Sequence, residues 1–512
     1  MTSSLSHIAA AARLPSRLSA AVAIGIAGAA AVYATYRLRW RVEGPFLLQR
    51  CTVLASTLTE AELAAEADEY REVDVRLDLN GTIEEVAAAG TLSRRLGEAR
   101  IDCRNMLLLP GFVNAHTHST EMLSRGLIPP VPLDLWVLRL LSTVAEAIGC
   151  FGAPSDALHL AALHCAVESL LGGCTSVLDH CFVSSRADAE AITSAYRAVG
   201  VRLFFAPMLN DDAVKYEGYI PVASDAAARN AMASDSASAC ACARGLAADG
   251  TLRTEQAASD PAACARAVAL WEELVCALHR PAEGCSLVIG PVTVYSCSLP
   301  MLREAAAIRR RHRLHGHIHL LESRAQKLEA CRCARFPGGS AVRLLDEAGF
   351  LHVEGTVTSC AHACWLEADD MRLLASAGAA VVHNPLSNLR LGSGVCQVRR
   401  CLEAGVAVGL GCDGACSSDG QDITEAIKAA CLVSTLATPE YKQWLSARET
   451  LRLAYEGGAA AVGLGARGGK ILAGRLADLT LWDLTSLSLL PQTDPASLLA
   501  LGRPQAGPAA AG

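Results

Sequence analysis

Residues 107–118 read LLLPGFVNAHTH, an apolar run that ends in two histidines one residue apart. A short run with no polar alternation predicts a strand covered on both faces, as in a parallel sheet packed under helices. Working outward, seven more runs of this kind follow: TSVLDH (175–180), RLFFAPM (202–208), SLVIGPV (286–292), HGHIHLLE (315–322), TVTSCAH (356–362), AAVVHNP (379–385) and AVGLGCD (407–413). Most are separated by Ala/Leu-rich stretches long enough for a helix. Repeated βα units close a parallel sheet, and eight is the number of strands in a (β/α)₈ TIM barrel. A doubly wound open sheet is the competing α/β architecture, but the Gly-rich phosphate fingerprint it would carry after its first strand is missing here.

The rest of the chain fits around that core. The 512 residues are 52% hydrophobic, enough to bury a large interior and to exclude overall disorder. Net charge is −7, and the 45 Lys and Arg residues are dispersed, so no basic stripe suited to nucleic acid exists. The 21 cysteines are odd in number and scattered, which predicts reduced, buried thiols. The pairs Cys240/Cys242, Cys331/Cys333 and Cys412/Cys416 do not have the C-x-x-C spacing of a zinc framework. Residues 1–42 contain no Asp or Glu, carry five arginines and enclose an uncharged run, 18–36. That composition predicts a membrane tether or an organelle transit peptide, with the enzyme in a reducing intracellular compartment, facing the cytosol if tethered. Residues 43–106 and 466–512 lack the βα rhythm and are expected to pair as a small β-sandwich domain flanking a barrel over 107–465. Residues 223–260 read as a low-complexity insertion in a βα loop.

In a barrel of this type, reactive groups lie where strands end at the C-terminal face. His116, His118, His180, His319, His362 and His383 all fall at predicted strand ends, and Asp413 ends the eighth run. One histidine in such a place is usually a satisfied structural residue; six together point to a site. His116 and His118 are two apart on one strand and so share a face, which makes them a chelating pair. His319 adds a third nitrogen and Asp413 an oxygen. Three imidazoles and a carboxylate suit one divalent ion, zinc first and iron next, with a position left for water whose pKa the ion lowers toward roughly 7. Glu322, three residues past His319, is placed to move the water's proton. His362 is placed to orient the water or polarise the attacked group. His180 and His383 are candidate substrate contacts, and His315 and His317 are read as structural.

The strings PGFVNAHTH, HIHLLES, AHACWL, HNPLSNLRLGSG and GLGCDGACSS resemble the metal-dependent amidohydrolase superfamily, in its branch of aminohydrolases and chlorohydrolases. The resemblance spans roughly residues 46–485. It implies one zinc or iron ion on His116, His118, His319 and Asp413, with Glu322 as proton shuttle, His362 beside the attacking water, and Asp413 accepting a proton from it. The activity implied is hydrolytic deamination of a small amino-substituted N-heterocycle, by a homo-oligomer. Chloride displacement or amide C–N hydrolysis on the same site, and a catalytically silent tethered scaffold, are the alternatives. Two departures are visible. Val292 stands where deaminases of adenosine-type thioethers carry a substrate-contacting histidine, and the tail SLLALGRPQAGPAAAG is shorter than the family's usual ending.

Overall fold

Strand β6, Phe112–Thr117, opens the parallel part of the fold and is buried along its whole length. The computed structural model describes residues 44–60, 68–151, 153–211 and 260–502. The predicted leader (1–42) and nearly all of the low-complexity insertion lie outside these residues.

Before β6 come β1 (Phe46–Leu54), β2 (Tyr70–Leu77), β3 (Ile83–Ala88), β4 (Ala99–Asp102) and β5 (Met106–Pro110). After it come β7 (Cys174–Phe182), β8 (Arg202–Leu209), β9 (Cys285–Leu287), β10 (Gly290–Pro291), β11 (Gly316–Leu320), β12 (Thr358–His362), β13 (Ala380–His383), β14 (Ala407–Leu410) and β15 (Leu479–Asp483). The second half of the first apolar run and the other seven runs fall in β6 to β14, with the fourth run split between β9 and β10. Two parallel sheets result, β10-β8-β7-β6 with β9 on β8, and β11-β12-β13-β14. Single parallel bridges, Ile289 with Gly316 and Thr293 with His319, join the first sheet to the second. At the other side the Asp413 N–H donates to the His116 carbonyl at 2.9 Å. This is an α/β arrangement of the TIM-barrel type.

The opening string divides at Gly111. Met106–Pro110, predicted to continue into the parallel core, pairs antiparallel with β15 in a six-stranded mixed sheet ordered β15-β5-β1-β2-β3, with β4 on β1. A Cβ at Gly111 would overlap the Thr175 side chain at 2.1–2.8 Å, so the chain passes between the two sheets only without a side chain there. The small domain thus shows one sheet among the described residues, where a two-layered sandwich was expected. The tail differs too. Helix Pro495–Leu501 packs on helices Ile423–Ala437 and Ala447–Arg452 and so covers the parallel core, whereas a β-domain segment was predicted.

Two apolar layers hold the parallel part. Val113, Ala115, Leu178, Phe204, Val288, Ala380 and Val382 point inward, and Ala459, Ala461, Val462 and Leu464 plug that interior from one end. Outside the strands, Phe112, Val177, Ile318, Cys360, Val381 and Val408 meet the surrounding helices. The plug approaches so closely that a Cβ on Gly457 would lie 1.9 Å from the Val408 carbonyl oxygen. Every described cysteine is a free thiol, in keeping with the reading of reduced cysteines.

Candidate metal centre and active site

The side-chain alternation along β6 changes phase just before the two histidines. Val113 and Ala115 face the interior, so strict alternation would turn His116 outward. The β6–β7 pairing runs Asn114 with Val177 and then Thr117 with Asp179, so β6 carries one extra residue. Such a bulge re-aims the side chains that follow it, and both His116 and His118 reach the interior. His116 Nε2 lies 3.3 Å and His118 Nε2 3.2 Å from Asp413 Oδ1. His319 Nε2 is 3.2 Å from His118 Nε2.

Each of the three rings has its other nitrogen engaged. His116 Nδ1 meets His317 Nε2 at 2.8 Å, His319 Nδ1 donates to the Val292 carbonyl at 2.7 Å, and His118 Nδ1 donates to the His180 carbonyl. Nδ1 contacts of this kind leave Nε2 free, and they are how proteins orient imidazoles toward a metal. His116 Nε2 is fully buried and has no hydrogen-bond partner, which would cost stability unless a cation filled the place. Donor atoms of His116, His118 and Asp413 lie within 4.8 Å of one another, as do those of His118, His180 and His319 and those of His116, His319 and His362. Borderline nitrogen donors with one carboxylate fit a divalent ion such as zinc.

Asp413 lies past the end of β14, at φ +63°, and His362 and Ala363 hold φ +71° and +50°. Side chains other than glycine rarely adopt such backbone, at a cost of order 1–3 kcal/mol each, and such outliers cluster at functional sites. The Asp413 loop is tied to β6 to hold it there. Thr117 Oγ1 and Gln421 Nε2 donate to the Asp413 carbonyl at 3.0 and 2.7 Å, and the Cys412 N–H donates to Asn114 Oδ1 at 3.0 Å. Glu121 accepts from the Cys416 N–H at 3.1 Å, and its carboxylate occupies the space a Cβ on Gly414 would take.

His362 Nε2 lies 3.7 Å from Glu322 Oε2 and 3.8 Å from Asp413 Oδ2, while its Nδ1 donates to Asn388 Oδ1 at 2.9 Å. Ser393 Oγ contacts Glu322 Oε1 at 3.5 Å. Burial raises the Glu322 carboxyl, more than the opposing pull of His362 lowers it; a carboxylate so shifted takes up a proton more readily. Burial pushes His319 down to about 3 and His116 down as well, so both rings are neutral. Burial also opposes ionisation of Asp413, but the His116 and His118 rings, which face its carboxylate at 3.3 and 3.2 Å, outweigh it and keep this carboxyl well below its usual range.

His116, His118, His319, His362, Glu322 and Asp413 are therefore brought together. His180 joins them, its ring stacked on His319 at 4.9 Å between centroids, with Nε2 toward the Gly290 carbonyl at 3.3 Å. His383 does not. Ala380 and Val382 face the interior on β13, so His383 faces the helices and lines a cavity there; the expected substrate contact is corrected on that ground. The Val292 position acts through its carbonyl. The sequence reading missed His317 as a partner of His116, Asn388 and Ser393. Asn388 stands in HNPLSN and Ser393 in the adjoining LGSG, strings noticed only for their histidine and for family resemblance.

Inward-facing nitrogens around a buried carboxylate, with a second carboxyl beside them, make a hydrolase-type site that could hold a metal on an α/β scaffold. Comparison with known proteins agrees. Residues 107–505 match the model of the amidohydrolase family. A 5-methylthioadenosine/S-adenosylhomocysteine deaminase of Desulforudis audaxviator is 30% identical over 76% of this chain and 76% of its own. A 5'-deoxyadenosine deaminase of Methanothermobacter thermautotrophicus is 29% identical over 80% of this chain and 81% of its own. Among solved structures, atrazine chlorohydrolase from Arthrobacter aurescens, complexed with zinc, superposes with a TM-score of 0.72 at 25% identity, covering 90% of this chain and 91% of its own. The chain belongs to the amidohydrolase family.

Proposed function

We propose that this chain is a zinc-dependent aminohydrolase that removes an amino group from a small N-heterocycle of purine, pyrimidine or triazine type. The observation that carries the reading is the convergence of His116, His118, His319 and Asp413 with Glu322 within reach of His362. Bound by those four residues, a divalent ion supplies Lewis acidity that brings a water's pKa from 15.7 toward roughly 7. Glu322 would receive one proton of the attacking water and deliver it to the ring nitrogen; the proton left on the added hydroxyl would pass by way of Asp413 to the amino group, which departs as ammonia while the ring carbonyl forms. Asp413, ionised before the reaction, would accept that second proton from the added water. His362, held by Asn388, presents Nε2 toward the developing charge, and His180 forms part of the wall. The deaminases named above support a purine-like ring, while the triazine hydrolase structures favour one other reading, displacement of chloride from such a ring.

The same proposal places the site on a closed (β/α)₈ barrel beginning at Gly111, with β1–β5 and β15 as the accessory domain. The composition of residues 18–36 supports a tether or transit segment and an intracellular location; a homo-oligomer is proposed on the family likeness, with light scattering as its check.

The test is an ammonia-release screen over adenosine-type thioethers, deoxyadenosine, guanine, cytosine and aminotriazines, with chloride measured in parallel. Glu322→Gln is expected to lower turnover by about 10²-fold or more with metal content retained. Unchanged turnover in that variant, or chloride without ammonia from wild type, would refute deamination through Glu322.

A further inference from the structure

Between β6 and the segment that follows β14 the backbone ladder almost fails. Among the described residues one backbone hydrogen bond, Asp413 N–H to the His116 carbonyl, joins them. Side-chain amides take the ladder's place. Asn114 Oδ1 accepts the Cys412 N–H at 3.0 Å, so the other end of that amide, Nδ2, is turned to donate, and it meets Gln421 Oε1 at 3.1 Å. With its oxygen toward Asn114, Gln421 has its nitrogen toward the Asp413 carbonyl, at 2.7 Å. The Cys412 N–H, which can only donate, thereby fixes the orientation of both amides.

Asp413 is the residue that needs holding. Its φ of +63° belongs to backbone that residues other than glycine keep only when their surroundings impose it. In that conformation its carboxylate lies 3.3 and 3.2 Å from His116 and His118 Nε2. Two donors face its carbonyl, and they are unequal. Thr117 Oγ1 is 3.0 Å away but also 2.8 Å from Gln421 Oε1, so its single proton is divided between two acceptors. Gln421 Nε2 is closer and has no other acceptor among the described residues. Asn114, Thr117 and Gln421 are fully buried, so water does not compete for these bonds. The Gln421 backbone is anchored in turn, its N–H donating at 3.2 Å to Glu168 on helix Pro154–Leu171.

We propose that Gln421 is a positioning residue of the metal centre, whose amide holds Asp413 in its left-handed conformation and so sets the carboxylate against His116 and His118 before an ion binds. The proposal rests on the metal reading above. Gln421 touches neither ion nor substrate and acts through the Asp413 backbone.

The test is zinc competition against a chromogenic chelator on the full chain, beside the visible absorption of the cobalt-substituted protein, whose bands follow the geometry around the ion. Gln421→Met keeps the bulk and removes the amide. Zinc affinity should fall about 10- to 100-fold, the span found for residues that orient metal ligands, and the cobalt bands should shift. Gln421→Asn, whose amide ends one carbon short, should do the same and keeps the test decisive if Gln421→Met fails to fold. A merely structural residue would lower the melting temperature of the metal-free protein and leave zinc affinity and cobalt bands unmoved, which would overturn the proposal. His116→Ala separates the two readings. Zinc held equally by wild type and the Gln421 variants but lost in His116→Ala overturns the role of Gln421 alone; no zinc on folded wild type overturns both.

Discussion

His317→Phe should weaken metal binding although His317 is not expected to touch the ion. His116 can offer Nε2 to a metal only as the tautomer with its proton on Nδ1. That N–H donates to His317 Nε2 at 2.8 Å, so His317 carries its own proton on Nδ1 and donates to Ser359 Oγ at 2.7 Å. The Ser359 hydroxyl passes to the Gly316 carbonyl at 3.4 Å, which ends the relay on backbone. Without an ion, His116 can instead protonate Nε2 and donate to Asp413, so the loss of His317 costs little. With the ion bound, phenylalanine leaves a buried N–H unsatisfied, a cost of about 1–3 kcal/mol that falls on the loaded state alone. Zinc affinity should drop roughly 5- to 150-fold, a span that contains the roughly 10- to 100-fold typical of such ligand partners. Competition against a chromogenic chelator measures it, with circular dichroism to confirm folding. His317→Gln, which restores an acceptor oxygen, should recover most of the loss. A folded His317→Phe protein that binds zinc as tightly as wild type would refute the relay.

Gly457→Ala should destabilise by about 3 kcal/mol or more, because its methyl would lie 1.9 Å from the Val408 carbonyl oxygen and backbone cannot step aside. Gly149→Ala, with nothing within 4 Å of the added carbon, should stay within about 1 kcal/mol of wild type, both read by urea unfolding. Asp494→Asn should lower stability at pH 7 by about 1 kcal/mol. Burial opposes Asp494's ionisation, but hydrogen bonds from Ser497, Tyr70 and Arg448 outweigh it and hold the group at about 2, below its usual 3.8, and its partial exposure discounts the full shift. A depressed carboxyl stabilises above its unfolded pKa and loses that contribution as pH falls through the folded one. The gap in melting temperature between wild type and Asp494→Asn should therefore be full at pH 7 and shrink steadily between roughly pH 4 and pH 2. A gap independent of pH would assign the loss to helix capping alone.

Much of the scaffold was legible because eight buried runs announce themselves without any partner in view, and because histidines at strand ends converge on whatever axis the strands surround. What was not legible depends on pairing between distant segments. Nothing in LLLPGFV indicates that Leu107–Leu109 belongs to the sheet of Leu479–Asp483; Gly111 reveals its role only when Thr175 is beside it. Helix Pro495–Leu501 was missed because its cap reaches across the chain: Asp494 binds Ser497 locally but also Tyr70 and Arg448.

The His116/His118 pair at the end of β6 and His383 on β13 show the limit most clearly. A period-two reading placed His116 and His118 on one inward face, and they are there, but only because an extra residue between Asn114 and Thr117 shifts the phase set by Val113 and Ala115. On β13 no bulge intervenes. Ala380 and Val382 keep the inward phase, and His383 is turned toward the helices. A strand-end position does not suffice for a substrate contact; parity along the strand also has to agree. Parity depends on the neighbouring strand's register, which no single run encodes. One added residue in β13 would carry His383 toward His362, and one removed from β6 would take His116 away from Asp413. The metal site and the cavity behind β13 therefore differ in one respect above others, the presence or absence of a single extra residue before the histidine.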